Sequence, residues 1–273
     1  MIRSFASVNL TVVVLTCLTL AVSPSPVNAV DRPANWLTDS FNINEIQTRA
    51  LPPLDMPKLA AEDAAAEAFG QPPRFAIAEP VFESTADITG WTDFGRSSSW
   101  RIRIIAPEAV SLNFAFRNVK LVEGARLWVY PATLAEKGVL DPQRRLGPYG
   151  PEINKPHGEF WTPVLPFNDV IIELEVRSEL RDQISLELFQ ANQGYREFSG
   201  PADTVPEKNQ GPCEKGSYGA KSGSCNMDVA CLGPADPWND PRRAVARYTL
   251  QGSFLCTGAL VNNTANDRRL LFA

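Results

Sequence analysis

The residues able to do chemistry in this chain are few, and their spacing limits what they can do. His157 is the one histidine among 273 residues. It sits in Asn154-Lys155-Pro156-His157-Gly158-Glu159-Phe160-Trp161, a loop bracketed by Pro and Gly. No Ser or Asp nearby stands in a motif that would make it the base of a triad, so it reads as a surface residue. The carboxylates are scattered, and no pair is spaced for general acid–base work. Gly219-Ala220-Lys221-Ser222 falls short of a phosphate loop. That loop needs Gly directly before the Lys and another Gly ahead of it, where this chain has Ala220 and Lys215. Cys213, Cys225, Cys231 and Cys256 crowd into the last quarter of the chain. Zinc sites use tighter cysteine pairs and usually His; Cys225 and Cys231 have five residues between them and no His near. No catalytic residue, no metal site and no cofactor is expected.

The cysteines therefore turn on the redox compartment. Arg3 gives the N-terminus a positive start, Thr11 to Val22 is an apolar run, and Val27-Asn28-Ala29 offers the small residues a signal peptidase reads. The run is shorter than the roughly 20 residues a membrane helix needs. Residues 1–29 are read as a secretory signal cut after Ala29, carrying Cys17 away with it. The mature chain is expected outside the cytoplasm, extracellular or periplasmic, with no membrane association once the signal is removed. There the four remaining cysteines tend to form disulfides, two bridges with three possible pairings. The net charge of −5 argues against nucleic acid as a partner.

The elements behind these residues are mostly β. Residues 30–56 look irregular. Pro57 to Gly70 has the marks of a short surface helix: Pro at its start, Ala and Glu inside, Gly at its end. From residue 75 to 198 six short runs are separated by turn residues: FAIAEPVF, WRIRIIA, VSLNFAFRNV, ARLWVYPA, DVIIELEV and ISLELFQA. Period-two alternation in two of them marks half-buried strands, and Gly124 leads into a strand expected to be wet on one face. Their number and spacing predict an antiparallel β-sandwich over 75–198. Trp91, Trp100, Trp128 and Trp161 are read as core or turn anchors rather than a ligand platform. Residues 199–221 carry Pro, Gly, Ser and three lysines, Lys208, Lys215 and Lys221, and almost no large apolar side chain, so they form a connector. Three β-like runs follow: AVARYTL, SFLCTGALV and DRRLLFA.

The tail carries the specific signal. Cys256-Thr257-Gly258-Ala259-Leu260-Val261 resembles the C-x-G-[SA]-L-[VI] strand of trypsin-like serine endopeptidases. Ser222-Gly223-Ser224-Cys225-Asn226-Met227-Asp228-Val229-Ala230-Cys231, Ala246-Arg247-Tyr248 and Leu260 to Arg268 resemble the start of the mature bacterial lysyl endopeptidases. More loosely, Phe160-Trp161-Thr162-Pro163 with Asp169 to Leu174 is similar to the propeptide β-domain of such precursors.

The resemblance implies a secreted serine endopeptidase precursor. Its parts would be a signal (1–29), a pro-region with a short helix (30–74), a β-sandwich propeptide domain (75–198), a linker (199–221) and the first strands of an incomplete trypsin-like barrel (222–273). It implies that the catalytic His lies in a T-A-x-H-C strand after Ala273, with Asp, Ser, oxyanion hole and pocket later still. This polypeptide alone is then expected to be inactive. It also implies that Cys256 pairs with the Cys beside that His and that Cys225 and Cys231 bridge to later positions. Local pairing, Cys225 with Cys231 and Cys213 with Cys256, stays open. A lysine-specific enzyme would cut its own precursor after Lys221, freeing Ser222, or after Lys215. The partners implied are a polypeptide substrate for the full-length protein and, for the sandwich, the protease domain it would pack on. The alternative is an exported β-sandwich binding module with a degenerate protease remnant.

Overall fold

The computed structural model describes residues 33, 42–137, 141–196, 236–238, 241, 243–261 and 271–272. The chain is mostly β. The strands in chain order are β1 (Thr48–Ala50), β2 (Ala76–Ser84), β3 (Trp91–Phe94), β4 (Ser97–Ile105), β5 (Ser111–Lys120), β6 (Arg126–Pro131) and β7 (Leu146–Tyr149). Then come β8 (Phe160–Trp161), β9 (Asp169–Arg177), β10 (Ser185–Gly194), β11 (Val245–Leu250), β12 (Phe254–Val261) and β13 (Leu271–Phe272). Among the described residues two α-helices, α1 (Met56–Ala68) and α2 (Ala132–Lys137), interrupt them.

All six apolar runs of the 75–198 stretch are strands, and they sort into two sheets. The first has the order β1-β4-β9-β6-β7, and β3 also pairs with β4. The second runs β2-β10-β5-β8. Alternation explains the layering, since successive side chains of a strand point to opposite faces. Trp100, Ile102 and Ile104 of β4, Leu127 and Val129 of β6, and Val170, Ile172 and Leu174 of β9 face the second sheet. Leu112, Phe114 and Phe116 of β5, Leu186 and Leu188 of β10, and Val81 of β2 face the first. All are buried, and together they form the core between the two layers of a sandwich. β10 shifts register between Leu188 and Gln190 against both neighbours, a bulge that changes which of its side chains face outward.

Two sequence expectations are corrected. The stretch read as irregular contains β1, which pairs parallel with Arg103–Ile105 of β4 while β3 pairs antiparallel with Ser97–Trp100. The two short strands thus share one edge of a long one. A three-residue strand is too short to show a period of two. The strand after Gly124 is not wet on one face: Trp128 and Tyr130 are buried as fully as Leu127 and Val129. A second apolar cluster covers the outer face of the first sheet, formed by Trp128, Tyr130 and Ile171 with Ile46 and with Ala132, Leu134 and Ala135 of α2. Beside it the buried Glu173 accepts from Ser99 Oγ at 2.6 Å and from the Tyr130 hydroxyl.

Helix α1 follows its sequence signals. The Asp55 side chain caps it by accepting from the Lys58 amide at 3.0 Å. Pro57 lies in the first turn, where its missing N–H costs nothing. Past the end, Gly70 takes a φ of +68°. The helix buries Leu59 and, one turn on, Asp63.

Candidate functional site: the junction of sandwich and hairpin

In the tail, β11 and β12 form an antiparallel hairpin in which Leu250 faces Phe254, Tyr248 faces Cys256 and Val245 faces Ala259. Gln251 and Gly252 at its tip both have positive φ, 50° and 69°. The Ser253 amide donates to Leu250 O at 3.0 Å. Two positive-φ residues closed by such a bond make the turn whose twist suits a hairpin. Much of the hairpin's apolar surface is bare: Val245, Tyr248, Leu250 and Val261 are all exposed.

Gly252 and Ser253 at the tip, in contrast, are buried against the sandwich. The amide of Phe75 donates to Ser253 O and that of Leu255 to Pro73 O, both at 2.9 Å. Arg74 and Phe254 form an antiparallel bridge between them. The start of β2 is thereby lengthened by strand pairing with β12. Side chains complete the junction. Asn113 of β5 and Asn192 of β10 are direct cross-strand partners. Both sit between core-facing neighbours and so point out of the sandwich, yet both are buried. Asn113 Nδ2 donates to Gly252 O at 3.0 Å. Ser253 Oγ donates to Asn192 Oδ1 at 3.1 Å, and Gln190 Nε2 reaches Gln251 O at 3.2 Å. Gly252 lies flat on the asparagine pair: a Cβ there would stand 2.5 Å from Asn113 Oδ1 and still closer to Asn192.

A charged cluster lies alongside. Asp63 of α1, almost fully buried, receives Arg74 Nε at 3.0 Å, the Tyr195 hydroxyl at 2.7 Å and Arg196 Nη2 at 2.8 Å. Arg74 also reaches Glu62 at 2.9 Å. Burial works against the Arg74 charge, but the bonds to Glu62 and Tyr195 and the charge of Asp63 outweigh it and raise its pKa. Burial first, and then its bond to Asp63, push the Tyr195 hydroxyl up to about 12. Glu62, Asp63, Arg74 and Arg196, with Phe254 of the hairpin, line an open cleft of about 300 Å³. Carboxylates held by guanidinium groups are suited to fixing α1 against the ends of β2 and β10. They leave no nucleophile poised beside a base.

The residues singled out in the sequence are not gathered here. Lys215, Lys221, Ser222, Cys213, Cys225 and Cys231 lie outside the described residues, as do Lys208 and the signal segment. Cys256 is half-buried in β12 and has no disulfide partner among the described residues. His157 is exposed, and its Nδ1 accepts from the Glu159 amide at 3.1 Å. Trp100 and Trp128 are buried, Trp91 donates to Thr85 O and Trp161 to Glu159; the four do not form one platform. Asn113, Asn192 and Gly252 were not singled out. A polar residue at an outward strand position looks the same in sequence whether water or another segment covers it. Gly252 carries no mark in the sequence of what it would touch.

Comparison with known proteins bears on the hairpin. No solved structure matches the chain. Residues 219–273 match the family model described as lysyl endopeptidase, C-terminal domain. The hairpin held by the sandwich falls within that match, and over this segment the chain is related to the lysyl endopeptidases.

Proposed function

We propose that this chain is the N-terminal part of a secreted serine endopeptidase precursor, one that cleaves after Lys in its full-length form. The sandwich would be the pro-domain and the 222–273 segment the beginning of the catalytic barrel. One observation carries the reading: the hairpin inside the matched segment is joined to the sandwich by backbone pairing and by buried side-chain bonds. A pro-domain that assists or restrains a barrel needs such a hold on one of its elements. Export is supported by the N-terminal sequence, and among the described residues no helix is long and apolar enough to cross a membrane. Processing would fall after Lys221 or Lys215, releasing Ser222 in the first case.

By itself the polypeptide is proposed to hydrolyse no peptide bond, because its one histidine is an exposed loop residue with no nucleophile beside it among the described residues. Trace lysyl endopeptidase added to the purified chain tests the processing reading. The first cuts, followed by mass, should fall after Lys215 or Lys221 and leave the sandwich intact. First cuts after Lys120 or Lys155 would count against it, and turnover of a lysyl peptide by the chain alone would refute the inactivity.

A further inference from the structure

We propose that the outer face of the second sheet is a receptor for a glycine-containing β-turn, and that it keeps the 245–261 hairpin bound after the chain is cut between residues 199 and 221. The proposal rests on the precursor reading for what the hairpin belongs to, and on the geometry for the hold itself.

Every bond named across the junction joins a residue at 73–192 to one at 251–255. A cut in the connector breaks none of them. The receptor is also set by the sandwich before the turn is considered. Gln190 Nε2 donates to Asn192 Oδ1 at 2.8 Å, and Asn192 Nδ2 donates to Asn113 Oδ1 at 2.8 Å. These two bonds orient both amides. They leave Asn113 Nδ2 as an outward donor and one lone pair of Asn192 Oδ1 as an outward acceptor. The turn supplies the complement, Gly252 O to the donor and Ser253 Oγ to the acceptor.

Selectivity follows from two independent demands on one residue. The backbone at 252 needs φ of 69°, which disfavours any side chain. The space above Asn113 and Asn192 has no room for a Cβ. The ligand class is therefore a hairpin tip with Gly at the second central position and a hydroxyl residue after it. Backbone pairing at Pro73 and Phe75 supplies affinity that does not depend on side chains, and the asparagine pair supplies the choice of turn.

The test uses the full chain with the recognition sequence of a site-specific protease inserted between Thr204 and Val205. The nick is thus made without relying on lysine cleavage. All four cysteines that follow the signal then lie on one piece, and a reducing buffer removes any remaining covalent link. After complete cutting, the two pieces should co-elute in gel filtration. Gly252→Val should abolish co-elution while the thermal melt of the sandwich piece stays unchanged. Asn113→Asp, which leaves the turn untouched but replaces the donor with an acceptor, should weaken association at least tenfold.

Separation of the wild-type pieces would overturn the proposal, and so would co-elution undiminished in both variants. Separation together with first lysyl cuts at Lys215 or Lys221 sinks the receptor and leaves the precursor reading standing. Co-elution together with first lysyl cuts inside the sandwich does the reverse.

Discussion

At the scale of single residues, burial of polar groups organises this protein more than reactive groups do. Asp63, Glu173, Asn113 and Asn192 are all buried, and each has hydrogen-bond partners that make burial tolerable. Tyr195 is the most readily titrated reporter of these networks. Its hydroxyl is pushed up to about 12, against an ordinary value near 10. A raised acid favours the protonated form in the folded state. Its contribution to stability is therefore complete below about pH 10 and is lost as pH rises through about 12. Spectroscopic titration of tyrosinate should show a late-ionising component that Tyr195→Phe removes. The same substitution should cost about 2 kcal/mol at neutral pH, the worth of one hydrogen bond to a charged group. A wild-type titration with no component missing from the variant would contradict this.

At the scale of elements, the long strands follow from alternation and the short ones follow from their neighbours. β2, β4, β5, β6, β9 and β10 were legible because each is an apolar run bounded by turn residues, two of them alternating with period two. β1, β3, β7 and β8 have two to four residues apiece, and only a partner strand can define them. The hairpin β11–β12 stands between these cases: its runs were legible and its docking was not. Its turn offers a direct handle. Gln251 holds a φ of 50°, which Asn tolerates better than Gln. Gln251→Asn should stabilise the hairpin by roughly 0.5 kcal/mol. Amide exchange across 245–261 should slow, with no change in the sandwich strands. Unchanged or faster exchange in the hairpin would show that this turn does not limit its opening.

At the scale of the whole molecule, segments far apart in sequence close one structure. The 42–51 segment supplies β1 and places Leu51 in the main core and Ile46 in the outer cluster. Leu51 N–H donates to Ile105 O at 2.8 Å, and Gln193 reaches Pro52 O at 3.2 Å. The sandwich therefore depends on residues well before its first long strand. Deleting residues 1–54 should lower its stability in urea by at least about 3 kcal/mol, since loss of one buried Leu side chain alone costs roughly 2–5 kcal/mol. A midpoint that does not move would show that β1 is an ornament on the edge of β4. At the other end, residues 251–255 close over the second sheet. The same sheets thus bind chain from before and after the sandwich strands.

The sequence by itself determined the β class, the six long strands, the short helix from Pro57 and the resemblance of residues 222–273, because each depends on residues adjacent in the chain. Only the tertiary structure decided that Asn113 and Asn192 face each other across two strands 79 residues apart, and that the turn at 251–253 lies over them. It likewise decided that the outer face of β6 is dry. Each of these depends on which surface is covered by a distant segment. An outward Asn, or an outward Trp, has the same local pattern under water as under protein, and only the packed chain tells them apart.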